Sequence, residues 1–221
     1  MQITLNEIPL RETLHFLGWR GTPLNHVLIE QIQEISRQAR ACLQPRVVIR
    51  RFLLEDENRL KGTTLSLHGA DVAAMLRPCH EAAVLAATLG AQSERMLLKA
   101  QAMDGAQALV LDAVLSAAIE AVCDEAENRF RHELGGEGMY LTDRFSPGYG
   151  DMPLEQTRMI CEVLNTDRSI GLTVSASGIM IPRKSVTAVM GISRTPVFRR
   201  PHGCLGCAMK GTCPMRRNEE A

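Results

Sequence analysis

Six consecutive residues, Arg144-Phe145-Ser146-Pro147-Gly148-Tyr149, place a fixed cation, a rigid turn and an aromatic ring close together along the chain. The planar donor fork of an arginine suits a carboxylate. The face of a tyrosine ring attracts a cation such as a sulfonium. Pro147 fixes φ and Gly148 tolerates positive φ, so the pair predicts a tight turn whose backbone N–H and C=O groups point outward, toward a ligand. A small zwitterion carrying one further positive charge would satisfy fork, turn and ring together. The same residues also fit an ordinary surface turn in which Arg144 pairs with Asp143 or Asp151 and Tyr149 plugs the core. On chemistry alone both readings stand open.

A second group lies near the end of the chain, where His202 precedes Cys204-x2-Cys207-x5-Cys213-Pro214. Two thiolates two residues apart can grip one metal through a knuckle that Gly203 and Gly206 ease, and Cys213 can return as a third ligand. Such soft donors suit zinc or an iron–sulfur cluster, with His202 or another chain completing the site. Free or redox-active thiols are the alternative. Six Lys or Arg residues from Arg194 to Arg217 precede the first acid, Glu219. With a single aromatic, Phe198, among them, they suggest charge compensation rather than nucleic-acid binding. A third group, Asp112, Ser116 and Glu120 with Asp124 beyond, repeats every four residues. It is either a solvated or interface stripe, or the lining of a cleft that meets an ammonium or sulfonium. Cys42, Cys79, Cys123 and Cys161 occur in apolar settings and suit small core positions.

These groups need elements to hold them. Residues 10 to 44 have Leu14, Leu17, Leu28, Ile29, Ile32 and Ile35 at helical spacing, with a break from Gly21 to Pro23, which predicts two helices. The β-rich runs Val47 to Leu54 and Leu60 to Leu67, with Asp56 to Asn58 between them, predict a hairpin. A short helix near Asp71 and a buried strand over Ala82 to Ala87 follow, closed by Gly90. Ser93 to Leu134 predicts two helices divided at Asp104-Gly105, since Asp caps the second and Gly relaxes the link. A helix is expected from Pro153 to Leu164, then strands over Ile170 to Val174, Gly178 to Ile181 and Val186 to Ile192.

With 221 residues, 45% of them apolar, the chain can bury one full core. Its 25 Lys and Arg against 25 Asp and Glu exclude coating of nucleic acid or membrane by bulk charge. Acids and arginines interrupt the apolar stretches before a bilayer-spanning length of about 20 residues, so no membrane span is expected. Met1 to Asn6 shows no leader pattern, and seven thinly spread cysteines fit a reducing compartment; both lead to an expectation of the cytoplasm. The architecture expected is α+β: a mostly antiparallel sheet with packed helices forming a single domain over residues 1–193, and a Cys-rich, basic C-terminal tail over 194–221.

The run from Arg144 to Tyr149, then Pro153 and a helix, Gly171-Leu172-Thr173, Ile181-Pro182 and Ser185-Val186-Thr187, resembles the reactivation domain of cobalamin-dependent methionine synthase in a free-standing form. That family carries an Arg-Pro-x-Pro-Gly-Tyr turn, a helix, a Leu-Thr strand, a Pro turn and a Ser-Val strand, and the order and spacing agree over about residues 140 to 193. The resemblance implies binding of S-adenosylmethionine, with Arg144 on its carboxylate and Ser146, Gly148 and Tyr149 lining its site. It implies a role in reductive methylation of cob(II)alamin, with the cobalamin carried by a partner, either methionine synthase or a related corrinoid protein, and the electron by a donor protein. A cluster in the tail could then relay that electron. The chain departs from the family at Met190 and Gly191, where an aromatic pair is expected, and at Val174, where an acid is expected. The competing expectation is a non-catalytic protein of the same fold that senses S-adenosylmethionine or metal.

Overall fold

A computed structural model describes residues 1–197 apart from 20, 22 and 24. The cysteines proposed as metal ligands, Cys204, Cys207 and Cys213, lie outside the described residues, as does His202. The elements in chain order are α1 (Leu10–Phe16), α2 (His26–Cys42), β1 (Arg46–Leu53), α3 (Ala70–Leu76), β2 (Glu81–Thr88), α4 (Ala91–Met103) and α5 (Gly105–Gly136). They continue as β3 (Tyr140–Leu141), α6 (Gln156–Leu164), α7 (Thr166–Ser169), β4 (Thr173–Val174), β5 (Met180–Ile181) and β6 (Ser185–Ser193). The main sheet is antiparallel throughout, in the order β1-β2-β6-β3, and β4 and β5 form a separate two-stranded ribbon. This is the α+β arrangement that the sequence implies.

The sheet is buried on both faces because its central strands are apolar at consecutive positions. In β2, Ala83, Leu85 and Ala87 enter one core with residues of α2, α4 and α5, while Ala82, Val84 and Ala86 enter a second with α3, α6 and the loop leucines. The alanines leave little bulk on either face, so helices approach the sheet closely. Asp104 caps α5 by accepting from the N–H groups of Ala106 and Gln107, and Leu111, Val114, Leu115, Ala118 and Val122 bury the helix against the first core. Each such leucine or valine contributes roughly 1.5–3 kcal/mol by leaving water. By length and composition α5 could cross a bilayer, yet 61% of its apolar window is buried inside the fold.

Four expectations are corrected. Cys42, expected at a small core position, is exposed at the end of α2. β1 pairs with β2, from Arg46↔Thr88 to Leu53↔Glu81, and the expected hairpin with Leu60 to Leu67 shrinks to one antiparallel bridge, Leu54↔Leu60. Glu57 and Asn58 take left-handed backbone conformations, and the following segment folds back at Gly62, with the Leu60 N–H donating to the Leu65 carbonyl at 2.9 Å. Leu60, Leu65 and Leu67 are buried in the second core rather than along an extended ladder. Helix α6 begins at Gln156, and Pro153 sits in the turn before it, its carbonyl accepting from the Gln156 N–H. Between Ile170 and Val174 only Thr173 and Val174 join a ladder, since Ile170 and Leu172 are spent on the second core.

Candidate functional site

The segment after α5 runs along the edge of β6 and is displaced on the way. Leu141 pairs with Ile192 and Phe145 with Val189, four steps on one side against three on the other, so one extra residue bulges out between Thr142 and Arg144. Thr142 pins the bulge: its N–H donates to the Gly191 carbonyl at 2.9 Å, and its Oγ1 accepts from the Gly191 N–H at 2.8 Å. Phe145 then enters the second core, while the Arg144 side chain goes the other way, to α5.

There it meets a row of acids. Arg144 Nη2 donates to Asp124 Oδ1 at 2.6 Å and Glu120 Oε2 at 3.3 Å, and Nε faces Glu127 Oε2 at 3.5 Å. These acids stand at i, i+4 and i+7 on α5, one face of a helix. Arg131, bonded to Glu127 at 2.7 Å and to the carbonyls of Leu141 and Thr142, ties the helix to the bulge from below. The Arg144 side chain is only 17% exposed, and its Nη1 is buried with no hydrogen-bond partner among the described residues. Burial opposes its charge, but the combined field of Cys123, Asp124, Glu120 and Glu127 outweighs that and holds the guanidinium above its usual range. Burial pushes the Glu120 carboxyl up, with Arg144 opposing. Further along the same helix face, Lys184 Nζ ion-pairs with Asp112 Oδ1 at 2.8 Å and donates to Ser116 Oγ at 2.7 Å. The stripe of Asp112, Ser116, Glu120 and Asp124 is thus an interface stripe joined to two cations.

The other residues singled out from sequence attach elsewhere. In the turn, the Tyr149 N–H donates to the Ser146 carbonyl at 3.1 Å and the Gly148 N–H to the Met152 carbonyl at 2.9 Å. Those backbone groups are therefore satisfied inside the loop rather than directed at a ligand. Tyr149 is 70% exposed and does not plug the core. The loop is locked to α3, because Asp151 accepts from the N–H groups of Ala70 and Asp71, and these bonds hold its carboxyl below the usual range. Gly150 has φ +52, and a Cβ there would stand 2.3 Å from Asp71 Oδ2. Arg144 pairs with neither Asp143 nor Asp151 through a salt bridge; among the described residues its ion pairs all run to α5. The sequence reading missed Glu127 and Lys184; the spacing of Glu120, Asp124 and Glu127 was the available signal for the first.

At the departures from the family pattern, Met190 is fully buried in the first core, and a Cβ on Gly191 would lie 2.4 Å from Cys79 Sγ. Neither position has room for an aromatic ring. Among the described residues no three His, Cys, Asp or Glu side chains gather as a metal site.

No family model matches the chain, and no curated protein matches it. Among solved structures it is similar to the MetH reactivation domain bound to AdoHcy, with a TM-score of 0.63 and 16% sequence identity over 90% of this chain and 79% of that one. At that identity the likeness shows a related fold.

Proposed function

We propose that this chain is a free-standing reactivation subunit that binds S-adenosylmethionine and supports reductive methylation of cob(II)alamin on a cobalamin-dependent methionine synthase or a related corrinoid protein. The observation that carries the reading is the Arg144 fork, buried at a bulge of the edge segment, with one donor unpartnered among the described residues and carboxylates on its other side, in a fold related to a domain that binds AdoHcy. Such a pair of opposite charges suits an amino acid: the guanidinium takes its carboxylate and Glu120 its ammonium. The loop from Ser146 to Gly148 and the exposed Tyr149 ring border the rest of the ligand. One electron from a donor protein and the sulfonium methyl together convert the partner's cob(II)alamin to methylcobalamin, leaving S-adenosylhomocysteine. This chain's own part is positioning, which needs no side-chain base. Cys204, Cys207 and Cys213 are proposed to hold zinc or an iron–sulfur cluster; metal analysis finding neither would remove that part.

A second reading, a sensor of S-adenosylmethionine without turnover, is favoured by one observation: Met190 and Gly191 are packed too tightly to provide the family's aromatic pair. Incubation of methyl-labelled S-adenosylmethionine with this chain, a reductant and a purified corrinoid protein separates the two. Label on cobalamin that depends on this chain is the expected result. Binding without transfer makes the protein a sensor, and absence of binding removes both readings.

A further inference from the structure

The three acids around Arg144 are not equivalent. Glu127 is 9% exposed and is held by two arginines, Arg131 and Arg144, so it cannot leave without stranding buried charge. Glu120 reaches Nη2 only at 3.3 Å. Asp124 makes the shortest bond, 2.6 Å, and is also the most exposed at 64%, so it can rotate into water at small cost. The local charge adds a constraint. Among the described residues, Arg131 and Arg144 stand against Glu120, Asp124 and Glu127, and the field of Glu12 also reaches Glu120. A carboxylate approaching Arg144 therefore meets an occupied donor and a negative field.

We infer that Asp124 is an internal stand-in for the ligand's carboxylate: it occupies the Nη2 donor of Arg144 in the free protein and must swing into solvent before a carboxylate ligand binds. That the ligand is S-adenosylmethionine rests on the functional reading above; the competition for Arg144 rests on the geometry. Glu127 and Arg131 keep the guanidinium in place during the exchange, and Glu120 remains for the ligand's ammonium. Affinity is reduced by the cost of breaking an ion pair at a half-open site, and the site is tuned against anions that bring no positive charge of their own.

The test replaces Asp124 with Asn in the full chain and uses Glu125→Gln as control. Glu125 lies next along α5, is paired among the described residues only to Arg129, and its change removes the same charge. Two readouts are taken: calorimetric titration with S-adenosylmethionine, and the rate at which phenylglyoxal modifies Arg144, followed by peptide mass mapping. Asp124→Asn is expected to bind about two- to five-fold tighter, the scale of an exposed ion pair, and to expose Arg144 to faster modification. Glu125→Gln should change neither. Unchanged modification of Arg144, or weaker binding of S-adenosylmethionine by Asp124→Asn, overturns the inference. Faster modification with no binding of S-adenosylmethionine by either protein supports the hold of Asp124 on Arg144 and rejects the functional reading instead.

Discussion

Replacing Gly150 with alanine tests whether the loop after Arg144 is built as described. The residue sits at φ +52, where an L side chain costs roughly 1–2 kcal/mol. The new Cβ would also lie 2.3 Å from Asp71 Oδ2 and 3.2 Å from the Phe145 ring. Asp71 is exposed and can turn its carboxylate aside, but Phe145 is 7% exposed inside the second core and cannot. Crowding against that ring adds about 1 kcal/mol, the lower end for overpacking. The total of about 2–3 kcal/mol corresponds to a melting temperature roughly 4–12 °C lower for a domain of this size. Gly178→Ala is the matched comparison: its φ is +83, but nothing lies within 4 Å of the added Cβ, so only the backbone term remains. Thermal melts by circular dichroism should therefore place Gly150→Ala below Gly178→Ala, and both below wild type. If Gly150→Ala melts as high as Gly178→Ala, the clamp between the loop and α3 is wrong.

Lys184→Met should lower stability by about 1–2 kcal/mol, since Lys184 loses a charge-assisted bond to Asp112 and one to Ser116 that join β6 to α5; chemical denaturation would show it as a shifted midpoint with unchanged slope. Iodoacetamide at pH 8 should label the exposed Cys42 in the native protein and leave Cys123, buried and pushed up to about 12, untouched until denaturant is added; peptide mapping that finds Cys123 labelled early would contradict its burial. Asp151, held below the usual carboxylate range by Ala70 and Asp71, stabilises the loop while ionised. Its contribution is fully present above the ordinary value near 4 and is lost as pH falls through its lower folded value. Asp151→Asn should thus melt below wild type at pH 6, and the gap should close at acid pH.

Much of the scaffold was legible because its signals are local. The continuous apolar run of β2 can be satisfied only by burial on both faces, and Asp104-Gly105 supplies both a cap and a break between α4 and α5. The hairpin shows the limit: Leu65 and Leu67 alternate as a strand would, but with Leu60 they fill the second core beside α3 and α6, far along the chain. The site shows the same division. Arg144 could be singled out by type and by its turn, whereas its partners depended on a one-residue bulge that sends the side chain toward α5. No spacing around residue 144 encodes Glu127 or Asp124, which lie 17 and 20 positions earlier.

The buried fork of Arg144 is proposed to receive the carboxylate of S-adenosylmethionine. Calorimetric titration of S-adenosylmethionine into wild type and into Arg144→Ala addresses it most directly, with a thermal melt to show that both are folded. Saturable binding by wild type and at least a ten-fold loss in the variant are expected, the scale of one charge-assisted contact, about 1.5–3 kcal/mol. Equal affinity in the two folded proteins would contradict it.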